Sequence, residues 1–278
     1  MSRKYDLHSH STASDGAYTP AELVQAAFGA GVTDLALTDH DTVAGLAEAQ
    51  IAAEAAGLRL LPAVEISVTW ERKSIHVVGL NVDPANPALN DGLRRLQVTR
   101  SERAVEMGRR LAKCGFGNCY EAAAVAAGAG MITRTHFARH LINLGAVSTL
   151  QAAFDSYLGQ GKPAYVPTDW AGLNDCVGWI NGAGGVAVVA HPARYKLTGS
   201  WMRRLLDAFK SAGGAGIEVV SGAGNPQDID MSATYARRFD LLASAGSDFH
   251  SPEHFWVKLG ALPALPKDLK PVWSVWDD

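Results

Sequence analysis

The sequence predicts an α/β fold in which a parallel sheet or barrel is interrupted by a helical insert. Three observations carry that reading. Short apolar runs alternate with helical patterns, several of the runs are nearly continuous in Val, Leu, Ile and Ala, and one central stretch holds helical patterns with no convincing strand. Continuous apolar runs mark strands buried on both faces, and a repeated strand–helix order marks parallel pairing.

The strand-like runs fall at residues 5–7, 34–38, 59–64, 75–80, 185–190, 216–220 and 241–245. After the first run, Thr19 and Glu22 form a capping box, Pro20 takes the first helical position and Gly31 can close the helix. The rhythm breaks between about residues 87 and 161. One long helix is expected to include 93–111, with Arg94, Arg95, Arg100, Arg103, Arg109 and Arg110 exposed. Shorter helices are expected near 121–127, 135–144 and 148–158, the last opened by a Ser148/Gln151 capping box. The Arg-rich helix reads as a solvated face, because Glu102 and Glu106 interrupt its basic positions. The predicted division is a main unit of residues 1–90 and 162–278, with residues 91–161 as an insert covering the active site. GQGKP at 159–163 forms the exit of that insert.

Composition narrows the function. Hydrophobic residues make up 47% and charged residues 19% of the 278, a globular balance. A net charge of −3 gives no general basic field for duplex nucleic acid, so phosphate recognition has to be local. No apolar stretch is long enough for a membrane span, and the first residues lack a signal-peptide pattern. Cys114, Cys119 and Cys176 lack C-x-x-C spacing and read as ordinary thiols, so a cytoplasmic location is expected.

Six of the nine histidines lie at or beside predicted strand ends. His8 and His10 follow the first run, His40 the second, and His191 ends the run VAVVAHP; His76 lies within IHVVGL, and His250 follows the last run with Asp248. Glu65 ends the third run, and Asp15 lies in the loop after the first strand. In a parallel barrel those ends meet at one face, where such folds place their chemistry. Alternate residues of an extended chain point the same way, so His8 and His10 can grip one ion, and Asp248 and His250 repeat the geometry. Imidazole with carboxylate suits zinc, manganese or iron better than an all-oxygen magnesium site. Nine ligands exceed the needs of one catalytic ion and suit a cluster with Glu65 as its bridge. Asp6, Asp39 and Asp41 adjoin the ligands and are expected to orient their imidazoles.

HSH near the N-terminus, TDHD near position 40, a strand-end glutamate, AHP and the late SDFH together resemble the polymerase and histidinol phosphatase (PHP) family. The motifs run from His8 to His250, nearly the whole chain, with no ligand missing. The resemblance implies a distorted (β/α)7 TIM-like barrel with two or three divalent ions at the C-terminal strand ends, manganese first, with zinc or iron as alternatives. One ion would take His8, His10, Glu65 and Asp248; a second would share Glu65 and add His76 and His191; a third would take Asp15, His40 and His250. The insert, ITRTHFARH at 132–140, GKPAYVP and HPARY resemble a subgroup of 3′,5′-nucleotide bisphosphate phosphatases and 5′→3′ exoribonucleases acting on short RNA.

The expected activity is hydrolysis of the 3′-phosphate of pAp-like substrates by a metal-activated hydroxide, with Asp248 and His191 as candidate proton donors. The alternatives are a 5′→3′ exoribonuclease, a histidinol phosphatase, and a metal-binding regulatory module without turnover. Arg134, Arg139, Lys162 and Arg194 are the candidate anchors for a second phosphate, with Thr135 and His136 beside them in the same motif. His136 stays open between substrate contact and insert structure. Tyr165 and Tyr195 are open between stacking on a base and core packing, and the C-terminal Trp273 and Trp276 between packing on the barrel and meeting a partner.

Overall fold

The computed structural model describes residues 3–222 and 224–276. Its elements run in the order β1 Tyr5–Asp6, α1 Pro20–Gly29, β2 Asp34–Leu37, α2 Leu46–Ala56, β3 Arg59–Trp70, β4 Lys73–Leu80 and α3 Pro87–Lys113. Then follow α4 Cys119–Ala127, α5 Arg134–Asn143, α6 Leu150–Ala153, β5 Ala171–Gly172 and α7 Leu173–Gly182. The last are β6 Val186–Val189, α8 Gly199–Ser211, β7 Gly216–Ser221, α9 Pro226–Phe239 and β8 Leu242–Gly246. The strands form one mixed sheet in the order β1-β2-β3-β4-β6-β7-β8, with β5 pairing β3 off that path.

The sheet nearly closes into a barrel. The Leu7 N–H donates to the Ala245 carbonyl at 3.0 Å, and the Asp248 N–H donates to His8 at 2.8 Å, so the first and last strands meet. Most neighbours are parallel, as the strand–helix order predicts, but β4 is antiparallel to both β3 and β6. The reason lies in β3, which runs on past Glu65 to Trp70 and turns back at Glu71 and Arg72, both at positive φ. The expectation that this run ends at Val64, with Glu65 as its terminus, is corrected accordingly. A charge interrupts the apolar pattern there without interrupting the strand.

One small core draws on alternating positions: Ala36 of β2, Leu61 and Ala63 of β3, Val78 and Leu80 of β4, and Val188 of β6. The C-terminal tail closes it. Val272 is fully buried, Trp273 stacks on Tyr5 with ring centres 4.0 Å apart, and Trp276 packs alongside. The final Asp277 and Asp278 lie outside the described residues, as do Met1 and Ser2. Outside the sheet, α1 and α2 cover β2, while α7, α8 and α9 cover the strands from β3 to β8. No helix among the described residues is long and apolar enough to cross a membrane.

The central stretch is helical, as its pattern predicts, but α3 is longer than the periodicity alone suggested. Leu89, Leu93 and Leu96 pack into the main core, where Gly92 meets the Trp179 indole so closely that a Cβ would lie 2.5 Å from it. Ala104, Met107 and Leu111, farther along the helix, pack instead with Phe137, Leu141 and Leu158 in a core of their own. One helix therefore belongs to both bodies. The predicted Ser148/Gln151 box is displaced by one residue. Thr149 is the cap, its hydroxyl accepting from the Ala152 N–H at 3.1 Å, and residues 154–158 form a π turn.

Phe137 is fully buried at the centre of the smaller core. Phe137→Ala is expected to lower unfolding free energy by about 3–5 kcal/mol, read from the urea midpoint. An unchanged midpoint would remove that core from the fold's cooperative unit.

Candidate metal centre

Backbone geometry brings the ligands together before any side chain is considered. His8 and His10 flank Ser9, which is held by Thr38 through its N–H and by the Ala36 carbonyl through its hydroxyl. Ser9 bridges Phe249, and His40 bridges Glu65, so four of the ligand segments lie side by side. His191 and Asp248 adopt positive φ, 28° and 53°, a conformation uncommon outside glycine and often found where a site imposes it. Gly246 is required: a Cβ there would sit 2.2 Å from the His8 Cβ.

The side chains fall into three overlapping groups, His8–His10–Glu65–Asp248, His10–Asp15–His40–His250 and His40–Glu65–His76, each with ligand atoms within 4.8 Å of one another. In the first group, His8 Nε2 and His10 Nε2 both lie 3.4 Å from Glu65 Oε2, and 3.3 and 3.1 Å from Asp248 Oδ1. Ligands about 2.1 Å from one ion stand roughly 3.0–3.4 Å apart in octahedral or tetrahedral arrangements, so these separations are edge lengths of a coordination shell. The buried His8 Nε2, Asp15 Oδ1, His40 Nδ1, Glu65 Oε2 and His191 Nδ1 have no hydrogen-bond partner. His40 Nδ1 and Glu65 Oε2 are only 2.8 Å apart, yet they lack hydrogen-bond alignment. Buried polar atoms left unpaired are costly, and an ion among them removes that cost. The residues present therefore fit divalent metal.

The first group matches the set implied by the family resemblance, and the second adds His10 to the expected third set. His191 is placed differently. The group around Glu65 and His76 takes in His40, while His191 Nε2 lies 2.9 Å from Glu65 Oε1 and His76 Nδ1 2.8 Å from the same oxygen. Burial pushes the Glu65 carboxyl up, but His76, His40 and His8 outweigh it and hold the group well below its usual range. Burial, with His250 and His40 nearby, lowers His10 to about 3, which keeps its lone pair free. Burial also opposes protonation of His250, yet Asp15 and Asp248 overcome it and raise the ring to about 9. The two rings stack with centres 4.0 Å apart. The carboxylates thus demand positive charge at the spot where the groups overlap.

Support comes from a residue the sequence reading missed. Glu218 of β7 is buried; Oε1 lies 3.0 Å from His8 Nδ1, and Oε2 accepts the His191 N–H at 2.6 Å. It fixes the His8 tautomer so that Nε2 faces the ligand set. A lone acid within an apolar run, GIEVVS, was its only signal. None of Asp6, Asp39 and Asp41 hydrogen-bonds an imidazole directly, but Asp39 reaches one through the Ser14 hydroxyl, which lies 3.5 Å from His10 Nδ1. Asp6 accepts from the Ser247 and Gly260 N–H groups, and Asp39 from Ser11 and Ser14, and burial raises each carboxyl to about 6. Asp41 accepts from the Ser67 N–H and the Arg100 guanidinium. Tyr195 is a staple, its hydroxyl accepting from the His76 N–H and donating to the Ala190 carbonyl, and its ring packs on the main core and edge-on to His191, outside the cleft lining.

The ligands open into a cleft of 870 Å³ whose far wall comes from the helical stretch. Thr133 and Thr135 both donate to Asp15 Oδ2 at 2.9 Å, tying that stretch to the centre. Here the Arg-rich helix departs from expectation: Arg100 and Arg103 line the cleft. Arg100 pairs with Asp41 at 2.6 Å and, like Arg103, packs over the Trp170 ring. Burial lowers Arg103 to about 9, with help from Arg134 and Arg100. Arg134 and Arg194 also line the cleft, Arg194 paired with Asp248. Of the other predicted anchors, Lys162 is exposed and outside the cleft lining, and Arg139 faces a separate hollow with His136. His136 Nδ1 accepts the Thr133 N–H as part of a helix cap.

Glu218→Ala is expected to weaken divalent-metal binding by about 10–100-fold, measured by calorimetric titration of metal-free protein. Unchanged affinity would deny Glu218 its supporting role.

Comparison with known proteins agrees with this geometry. The PHP domain model matches residues 6–221. A 5′-3′ exoribonuclease of Haemophilus influenzae is 46% identical over 99% of both chains. A 3′,5′-nucleoside bisphosphate phosphatase of Chromobacterium violaceum is 47% identical, over 96% of this chain and 94% of that one. A solved structure described as an amidohydrolase from Chromobacterium violaceum, with bound sulfate and no metal, superposes with a TM-score of 0.93 at 47% identity, covering 98% of this chain and 95% of the other. With the family model spanning most of its length and full-length relatives well above 40% identity, the chain belongs to the PHP domain family.

Proposed function

We propose that the chain is a metal-dependent phosphoesterase that removes the 3′-phosphate of a 3′,5′-nucleoside bisphosphate, converting pAp to AMP and phosphate. The observation that carries this reading is the meeting, in one cleft, of an imidazole–carboxylate cluster and arginines that no carboxylate balances. The cluster's imidazoles and carboxylates would hold divalent ions, whose charge would serve to bind phosphate oxygens and lower the pKa of a water molecule. The chain's own residues supply the rest. Arg103 and Arg134 make no ion pair among the described residues, and their mutual repulsion suits a dianion bound between them. Trp170, Phe154 and Tyr165 in the same lining offer apolar surface to a nucleoside.

Of the two candidate proton donors, Asp248 is the poorer. Burial works against its ionisation, but Arg194, His8 and His250 hold it well below its usual range, which suits a ligand. His191, beside Glu65, is left as the candidate for protonating the departing O3′. In this reading residues 91–161 act as an insert that brings Arg103, Thr133, Arg134 and Thr135 over the barrel of 1–90 and 162–278. Manganese is the first metal to try, with zinc and iron next.

The second reading is a 5′→3′ exoribonuclease on short RNA, the activity named for the Haemophilus relative. Hydrolysis of the same P–O3′ bond serves both, and a cleft of 870 Å³ has room beyond one nucleotide. A histidinol phosphatase would leave Arg103 and Arg134 without a partner. A module without turnover would leave the complete ligand set unused.

Manganese-loaded protein is expected to release phosphate from pAp faster than from AMP, histidinol phosphate or a 5′-phosphorylated RNA trimer. Stepwise loss of mononucleotides from the trimer at a rate matching pAp would favour the exoribonuclease. His10→Ala should remove both metal and turnover, and retention of either would break the cluster assignment. Arg103→Ala and Arg134→Ala should each lower kcat/KM for pAp by about 10- to 100-fold, with little change toward p-nitrophenyl phosphate. Equal losses toward both substrates would place these arginines outside a second-phosphate site.

A further inference from the structure

We infer that a basic track, leading from the mouth of the cleft over the β3–β4 turn to a hollow between α8 and α9, binds the backbone of single-stranded RNA running out from the metal centre. The inference rests on the phosphoesterase reading and adds a surface to it. Arg72, in the turn, lines the cleft. Its neighbour Lys73 holds its ammonium 4.5 Å from the ring centre of Trp201 on α8. The Arg204 guanidinium packs on the same ring at 4.8 Å. Beyond the ring, Arg203 and Arg204 join Lys210 and Arg238 around a hollow of 640 Å³.

Positive charge outweighs negative along this path. The hollow has four cations against Asp207 and Asp240. Glu71 is taken by Arg204, and Lys210 donates to the backbone carbonyls of Phe239 and Asp240, which leaves its charge uncancelled. Arg72, Lys73, Arg203 and Arg238 make no ion pair among the described residues. The whole chain carries −3, so this surplus is local. Cations in line make a positive surface of the kind that follows a single strand's backbone without regard to sequence, and the Trp201 ring holds Lys73 and Arg204 in that line.

The chemistry gives the track its direction. Hydrolysis of the P–O3′ bond sends the water oxygen to phosphorus and a proton to O3′. The 5′-terminal nucleotide leaves from the arginine side of the cleft, while the rest of an RNA strand stays attached to the phosphorus. That remainder has to leave through the mouth, where Arg72 stands. A bisphosphate has nothing beyond its scissile phosphorus and makes no use of the track, so the surface distinguishes substrates by length.

The test uses the full chain with Arg203→Gln and Arg238→Gln together, residues remote from the metal ligands. Binding of a 5′-phosphorylated ten-nucleotide RNA to metal-free protein is followed by fluorescence anisotropy across a salt series, and pAp hydrolysis is followed on the manganese-loaded form. The expected result is about tenfold weaker RNA binding at low salt, a salt slope reduced by about 1.4, and unchanged kcat/KM for pAp. RNA binding and slope equal to those of the parent would overturn the track, as would matching losses toward RNA and pAp. Failure of the parent to hydrolyse any phosphate ester would sink the phosphoesterase reading, while the anisotropy result would still decide the RNA surface.

Discussion

The structure turns on one carboxylate. Glu65 is fully buried, and its two oxygens stand within 3.4 Å of five imidazoles drawn from four separate segments of chain. An isolated carboxylate at such a depth would take up a proton, and positive charge around it is what keeps it ionised. The long β3, the His40–Glu65 bridge and the antiparallel return of β4 all serve to place this group. β3 carries Glu65 past the point where a shorter strand would have ended, and β4 folds back to set His76 beside it. The break from an all-parallel sheet is therefore part of how the site is built.

Glu218 does for the rim what Glu65 does for the centre. One of its oxygens sets the tautomer of His8 and the other holds the backbone of His191 in its left-handed conformation. Two ligand segments that approach from opposite ends of the chain are thereby fixed to the same side chain. The arginines form a third layer with the opposite sign. Arg100 is neutralised by Asp41, whereas Arg103 and Arg134 keep their charge in a confined space. A centre whose imidazoles and carboxylates could hold cations, beside arginines without ion-pair partners, suits the phosphate groups of an anionic ligand.

The convergence of these histidines and acids was legible in the sequence because such residues at strand ends stand out against apolar runs, and because alternate positions such as His8 and His10 share a face. Strand direction was not legible. Alternation and apolar content say how deeply a strand is buried and say little about which way it runs, so the β3–β4 hairpin read as two more parallel strands. Glu218 escaped notice because a single acid in GIEVVS resembles many edge positions. Arg100 and Arg103 were taken for a wet face because helical periodicity cannot say what a polar stripe will meet. The cleft they face exists only once α3 has docked on the barrel. The cap at Thr149 differed by one residue, since Ser148 and Thr149 are equally good hydroxyl caps and tertiary packing chose between them.

Helix α3 has a mechanical consequence. At 27 residues it is about 40 Å long, and it is rooted in the main core at one end and in the smaller helical core at the other. A helix clamped in this way acts as a strut. The helical stretch cannot swing open on a hinge without melting α3 or pulling apart one of the two cores. The strut therefore holds the helical wall of the cleft at a nearly fixed distance from the histidine–carboxylate cluster.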